Sequence, residues 1–223
     1  VNRKIVKTED GSSSLYLPAL DEHYHSSHGA AQESRHVFIQ NGLVHFLNDK
    51  NCIDILEVGF GTGLNAILSI EAFVEHDLKV RYTAVEPHPL SISEVDQLNY
   101  EDFIRKDVFD GYFKKMHEVE AGEWQVLKND FQLMKYHQAP LECELSGHFD
   151  LIYYDAFGPR AQPEMWELTA LEKAVSQLKK DGKFVTYCVK GSVKRNLKKL
   201  GMITEKLPGP PGKREMLNAY FEH

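Results

Sequence analysis

Residues 53–63 read Ile-Asp-Ile-Leu-Glu-Val-Gly-Phe-Gly-Thr-Gly, a short apolar run followed by an acid and three glycines at alternating positions. A strand that ends in such a loop, with a helix after it at Leu64–Phe73, lays bare backbone against a ligand. Glycine reaches φ > 0 and has no Cβ to hold the main chain away. Twenty-three residues past Gly63, a second strand (Val80–Val85) ends in Glu86, an acid placed to hold ribose hydroxyls. Strand, glycine loop, helix, strand and acid together make a nucleoside-binding half-fold.

The order of small residues narrows the nucleoside. A dinucleotide site reads G-x-G-x-x-G/A and receives a pyrophosphate at the helix N-terminus. Here Gly59-Phe60-Gly61-Thr62-Gly63 brings the third glycine one position early, and Leu64 fills its slot. Glu57, two residues before the first glycine, puts negative charge near the ligand, which suits an ammonium group better than a phosphate. S-adenosylmethionine has an amino-acid tail, a sulfonium and a ribose but no phosphate, so it is the expected cofactor. A dehydrogenase reading fails mainly at Leu64.

Length and composition fit one soluble α/β domain with a substantial core: 223 residues, 42% apolar and 26% charged. No stretch approaches the ~18 consecutive apolar residues of a membrane span. Val1–Ile5 lacks the apolar core of a secretory signal. Cys52, Cys143 and Cys188 are odd in number and form no C-x-x-C pair, which indicates neither a disulfide framework nor a zinc site. A cytoplasmic location is expected.

The net charge of −7 argues against indiscriminate nucleic-acid binding, but it hides an asymmetry. Between Lys179 and Arg214 there are eleven Lys/Arg and two acids. Lys190, Lys194, Arg195, Lys198 and Lys199 fall on one predicted helix and its approach. Such a helix is either a solvated face or a surface that tracks phosphates.

Along the chain, Leu15–Leu17 reads as a short strand and residues 31–47 as a helix with Val37, Leu43, Val44 and Leu47 on its apolar side. The alternation then begins: strand 53–58, helix 64–75, strand 80–86, helix 90–99, a short helix at 101–106, and a third strand at Trp124–Lys128 ended by Asn129-Asp130. A fourth strand, Phe149–Tyr154, is ended by Asp155. Helix 164–178, strand 183–188, helix 192–200 and strands near 202–206 and 215–221 follow. The pattern predicts a Rossmann-like, seven-stranded and mostly parallel sheet (residues 51–223), with residues 1–50 as an N-terminal cap segment. Ligands of such sheets bind beyond the carboxyl ends of the strands. Glu57, Glu86, Asp130 and Asp155 are therefore expected in one crevice.

Asp155-Ala156-Phe157-Gly158-Pro159-Arg160-Ala161-Gln162-Pro163-Glu164-Met165-Trp166 is a second motif. Two prolines stiffen a loop that presents one carboxylate and one ring at a strand end. That arrangement suits a planar base held beside a reacting amine; the alternative is a plain connection with Trp166 as a core anchor. With Tyr24-His25-Ser26, Gln32-Glu33-Ser34-Arg35, the glycine loop through Asn65, Val85-Glu86-Pro87 and the tail Pro208–Leu217, these residues make the chain resemble the methyltransferase part of the MnmC family. That family completes the 5-methylaminomethyl group on the wobble uridine of certain bacterial tRNAs. Better-known relatives read Asp-Gly-Phe-Ala-Pro where this chain has Asp155-Ala156-Phe157-Gly158-Pro159, with the acid and ring retained. They also carry a flavin-dependent oxidase after the methyltransferase; this chain resembles a form without it, which relies on separate enzymes for its aminomethyl precursor.

The resemblance implies an S-adenosylmethionine-dependent enzyme acting at the anticodon region of tRNA, with no metal and no membrane. Asp155 is then the catalytic candidate, orienting the acceptor amine and taking its proton. The cofactor set is Glu57 for the methionine amine, Gly59, Phe60, Gly61, Thr62, Gly63 and Asn65 as the cradle, Glu86 for the ribose, Asp130 for the adenine, and Asp155 itself. Phe157 is expected to stack on the wobble base, beside Pro159 and Tyr24. Glu33, Arg35, Lys190, Lys213 and Arg214 complete the substrate set. Plainer roles compete: Glu33 and Arg35 as an internal ion pair, Tyr24 as a core plug, Phe60 as packing. His23, His25 and His28 lack a partner carboxylate at ligand spacing, so no metal is expected there. Another RNA site or a small amine stays open as acceptor, as does a binding-only role.

Overall fold

The computed structural model describes residues 1–223 apart from Asp49, Glu75, Asp77, Leu78, Asn129, Ser146 and His223. From Cys52 onward the alternation folds as β4 (Cys52–Val58), α2 (Leu64–Phe73), β5 (Lys79–Val85), α3 (Ile92–Val95), α4 (Lys106–Glu118), β6 (Gln125–Lys128) and β7 (Phe131–Tyr136). Then come β8 (Phe149–Tyr154), α5 (Leu168–Val175), β9 (Leu178–Thr186), α6 (Gly191–Lys199), β10 (Met202–Pro208) and β11 (Glu215–Phe221). Before them lie β1 (Lys4–Lys7), β2 (Ser13–Leu17), β3 (Glu22–His23) and α1 (Ala30–Ser34).

The main sheet has eight strands in the order β10-β11-β9-β8-β4-β5-β7-β6, one more than expected. The strands β9, β8, β4, β5 and β7 pair in parallel, whereas β6 and β11 run against their neighbours. The chain builds outward from β4 through β5 to β7, then returns to place β8 and β9 on the other side. The gap between β4 and β8 is thus the topological switch point, where α/β sheets open a crevice.

Period-two alternation assigns the faces. Ile53 and Ile55 of β4, with Leu151 and Tyr153 of β8, enter one apolar cluster with α2 and α4. Leu56 and Val58, with Ile152 and Tyr154, enter the other with α5 and α6. Leu15 of β2 belongs to the first cluster. The three-stranded sheet β1-β2-β3 is thereby anchored on the main core. Hydrogen bonds from Ser13 N–H and Oγ to Asn99 Oδ1 (2.7 and 2.6 Å) add to that anchor.

Several elements differ from expectation. The expected helix over 31–47 breaks into α1, a π-helical stretch at Arg35–Gln40 and a 3-10 turn at Leu43–Phe46. The stretch 90–106 holds only α3 and a 3-10 turn at Tyr100–Asp102, and α4 follows where no element was expected. Its signal was present: Val108, Tyr112 and Met116 recur every four residues, as do Phe109 and Phe113. The expected third strand is β6, an antiparallel edge; the parallel strand is β7, with Phe131 and Leu133 buried in alternation.

Candidate active site

The carboxyl ends of four parallel strands open into one cavity of about 810 Å³. The glycine loop follows β4, Glu86 follows β5, Asp155 follows β8 and Tyr187 follows β9, and all four supply its wall. Tyr24, His25, Ser26 and Glu33, from the segment before β4, line it as well.

The glycine loop is built by close approach. At Gly59 (φ 95°) a Cβ would sit 2.6 Å from the carbonyl oxygen of Asp155, so only glycine lets β4 and β8 hand their loops to the same point. Gly63 (φ 73°) does not line the cavity. A Cβ there would strike Met116 of α4 at 2.3 Å, so this third glycine serves helix packing. Glu86 braces the loop: its Oε2 accepts from Gly61 N–H (3.0 Å) and its Oε1 from His88 N–H (2.9 Å). Phe60 and Thr62 line the cavity while packing inward, Phe60 against the His117 ring (5.4 Å) and Thr62 beneath the Tyr100 hydroxyl (3.0 Å).

Behind the loop lies a buried acid. Alternation turns Glu57 to the same side as Ile53 and Ile55, where Asn65, on the first turn of α2, meets it. Asn65 Nδ2 bridges Glu57 Oε1 (2.9 Å) and Asp155 Oδ2 (2.8 Å). Glu57 is fully buried and forms no part of the cavity wall, so Asn65 and not Glu57 faces a ligand directly. Burial, reinforced by the nearby Asp155 charge, pushes the Glu57 carboxyl well above the usual carboxylate range. Its Oε2 and the Tyr82 hydroxyl, close to each other, both lack a hydrogen bond of good geometry.

On the β8 side, burial and then the Glu33 charge raise the Asp155 carboxyl well above its ordinary value, against the lowering effects of Asn65 and Lys213. Glu33, nearly buried, accepts from Ser26 N–H (2.8 Å) and pairs with Lys213. The Lys213 ammonium sits 4.3 Å from the centre of the Tyr187 ring, whose hydroxyl donates to Ala156 O (2.8 Å). Phe157 meets the Tyr24 ring edge-on at 4.9 Å, and Trp166 Nε1 donates to Phe157 O (2.7 Å). Trp166 is therefore a core anchor that also ties down the backbone at Phe157. His25, held down to about 4 by burial, stays a neutral imidazole between Ser14 Oγ (3.1 Å) and Thr62 Oγ1 (3.5 Å).

Other expected residues lie elsewhere. Asp130 sits in the turn before β7, and its carbonyl accepts from Val80 N–H at the start of β5. It therefore occupies the amino-terminal edge of the sheet, opposite the cavity, because the strand before it is the antiparallel edge β6. Arg35, half-exposed, pairs with Glu71 of α2 (2.6 Å) and bonds Phe103 O, away from the cavity wall; its partner is not Glu33. Pro159, Lys190 and Arg214 stand outside the cavity wall. Sequence reasoning missed Tyr187 and the bridging place of His25. Nothing local marks Tyr187, and His25 stood out only as one of three histidines. Among the described residues no group of three or more His, Cys, Asp or Glu could hold a metal ion.

The profile of a family described as an S-adenosyl-L-methionine-dependent methyltransferase matches residues 103–222, more than half of the chain. The chain belongs to that family. S-adenosyl-L-methionine is therefore the methyltransferase's cofactor, as the glycine loop and Glu86 led one to expect. Curated relatives include the "tRNA 5-methylaminomethyl-2-thiouridine biosynthesis bifunctional protein MnmC" of Leptospira interrogans. It is 30% identical over 208 residues, covering 89% of this chain and 32% of the relative. The protein of the same name from Marinomonas sp. is 29% identical, covering 93% of this chain and 32% of its own. The methyltransferase thus spans about a third of the length of these relatives. Among solved structures, MNMC2 from Aquifex aeolicus superposes with a TM-score of 0.83 over 99% of this chain and 70% of its own, at 24% identity, and shows the same fold. No helix among the described residues is long and apolar enough to cross a membrane.

Proposed function

We propose that this methyltransferase moves a methyl group from S-adenosyl-L-methionine to the amine of 5-aminomethyl(-2-thio)uridine at the tRNA wobble position, giving the 5-methylaminomethyl base. The relatives' printed name supports this reading, but the observation that carries it is one cavity. The glycine loop and Glu86 form one side, and Asp155, Glu33 and Phe157 form the other. Such a volume exceeds what the lower end of small-ligand pockets needs, about 300 Å³, and leaves space for a nucleotide beside the cofactor. The residues present suit that cofactor: a glycine loop on the cavity wall, an acid after β5, and Lys213 as the only lysine or arginine among the described lining residues, where a pyrophosphate would call for more.

S-adenosyl-L-methionine supplies an electrophilic methyl group; the rest falls to the chain. Gly59 and Gly61 let the backbone approach, Glu86 holds ribose hydroxyls, and Asn65 offers its amide toward the amino-acid portion with Glu57 behind it. An alkyl ammonium near pKa ~10 must lose a proton before its lone pair can attack. Asp155 orients that nitrogen and takes the proton, and a carboxylate of raised proton affinity is the better base. Phe157, held by Tyr24 and Trp166, offers a ring to the base. The Glu33–Lys213 pair lies beside Asp155 and sets the local charge. Work at the anticodon region of tRNA, in the cytoplasm, on a precursor made by separate enzymes, completes the reading.

The test is transfer from labelled S-adenosyl-L-methionine to tRNA carrying 5-aminomethyluridine at the wobble position, with nucleoside mass spectrometry of the product. A gain of one methyl at that base is expected. Label on another nucleoside, or on free amines only, contradicts the assignment of the acceptor.

A further inference from the structure

Five cations on and beside α6 are left over by the site described above. Lys190 caps the helix, and Lys194, Arg195, Lys198 and Lys199 follow along it. None has a carboxylate partner among the described residues, whereas Lys50, Arg81, Lys106, Lys114 and Lys179 elsewhere in the chain are each paired. Val193 and Leu197 are buried under the helix, and Asn196 Nδ2 donates to Trp166 O (3.2 Å). At 100° per residue the four helical cations fan over the side away from Val193 and Leu197.

Local stability does not explain this arrangement. Lys194 with Lys198, and Arg195 with Lys199, are like charges at i,i+4, each costing about 0.2–0.5 kcal/mol. The helix dipole favours Lys198 and Lys199 in the last turn but opposes Lys190 and Lys194 at the first. α6 carries no acid to offset them. The helix is also well placed. It starts four residues after Tyr187, on the cavity rim, and runs along the flank of the sheet for about 13 Å. Lys213 stands at the cavity and Lys190 at the start of the helix, both near enough to Cys188 to act on its thiol, in a chain whose net charge is −7.

We propose that the outer face of α6 is the surface along which the RNA backbone lies when its base enters the cavity, with Lys194, Arg195 and Lys198 as phosphate contacts. The proposal rests on the tRNA reading above. A membrane surface is the less suitable partner, because the helix's apolar residues Val193 and Leu197 are turned into the core. No other residue of α6 is apolar. Backbone contacts of this kind confer position without sequence information, so α6 orients the RNA and the cavity chooses the base.

The experiment measures binding of an unmodified transcript of a tRNA with uridine at the wobble position, across a salt series, by filter retention. The wild type is compared with Lys194→Gln/Arg195→Gln/Lys198→Gln and with the corresponding triple change to Glu. A control is Lys106→Glu/Lys114→Glu/Lys115→Glu on α4, at the opposite edge of the sheet. Both α6 variants are expected to keep S-adenosyl-L-methionine affinity, which certifies the fold. They lose tRNA affinity at least tenfold at low salt, and the log–log salt slope flattens by about 2–3; the α4 control does not change either quantity. Equal affinity and slope in wild type and α6 variants overturns the surface alone. Failure of the wild type to bind tRNA at all overturns the tRNA reading, and the surface with it. Loss in the α4 control equal to that in α6 shows a general charge effect and also overturns it.

Discussion

The two walls of the cavity are built in different ways. The cofactor wall is consecutive: the loop after β4 and Glu86 after β5 come from one strand–helix–strand unit within thirty residues, and its spacing can be counted off the chain. The wall that we assign to the acceptor is assembled from distant segments. Glu33 comes from α1, Asp155 from the end of β8, Tyr187 from the end of β9 and Lys213 from the loop before β11. Parallel crossovers bring those segments to one edge.

The largest effect that separates the walls is at Asp155. Asp155→Asn keeps an oxygen for the Asn65 amide, so cofactor affinity stays within a few-fold by calorimetry. Methyl transfer should fall by about 10²–10⁴, the usual range for a general base. Comparable turnover by the variant would remove Asp155 from the chemistry. On the opposite wall, Glu86→Gln leaves one oxygen where two backbone N–H groups, Gly61 and His88, now find two. It should weaken S-adenosyl-L-methionine about tenfold while leaving the acceptor KM nearly unchanged. An effect on KM alone would make the two walls a single unit.

The third effect is a shift in pH dependence, read from kcat/KM. Transfer requires ionised Asp155, whose proton affinity is raised, so the acid limb should lie well above the ordinary carboxylate range. The groups facing Asp155 are Glu33 from α1, Lys213 from the tail loop, Glu57 from β4, Tyr82 from β5 and Tyr187 from the end of β9. Removing the negative Glu33 by Glu33→Gln moves the limb to lower pH; removing the positive Lys213 by Lys213→Met moves it higher. Limbs that shift in the same direction, or not at all, contradict the charge coupling between Glu33, Lys213 and Asp155.

The last effect concerns stability alone. The folded-state proton affinity of Glu57 is raised, so its contribution is present below the unfolded pKa and is lost as pH rises toward the folded one. The isosteric Glu57→Gln is neutral throughout. Its advantage in thermal stability over wild type should therefore grow from pH 5 to pH 8, by up to ~1.4 kcal/mol per pH unit below the folded pKa. A pH-independent difference in calorimetric Tm would show that Glu57 is ionised in the native state.

Much of the cofactor wall was legible because its signals are local: a glycine loop, a strand-end acid, a period of two. Even there, two details were invisible. Gly63 is glycine for Met116, which lies 53 positions further along the chain, and Glu57 faces inward because alternation sets it with Ile53 and Ile55. Asp130 was misplaced for a specific reason. The hairpin joining β6 to β7 puts a strand-end acid at the wrong end of the sheet, and only the pairing direction, which no local pattern shows, separates the two cases. On the acceptor wall, the rigid Asp155–Trp166 loop could be read, and Glu33 and Lys213 stood out through resemblance. That Lys213 pairs with Glu33 across 180 residues, and that Arg35 turns away to Glu71, depends on how α1 gives way to the π-helical stretch. Tyr187 carried no signal, since a tyrosine after a buried strand is ordinary until Lys213 lies over its ring.

The most direct test of the two-walled cavity is a crystal structure with S-adenosyl-L-homocysteine and an anticodon stem-loop bearing 5-aminomethyluridine. The expected result places the amine nitrogen within about 3–3.5 Å of an Asp155 carboxylate oxygen, the base against Phe157, and the homocysteine sulfur facing that nitrogen from the glycine-loop side. A base seated outside the cavity, or an amine held away from Asp155 with the cofactor product in place, would contradict it.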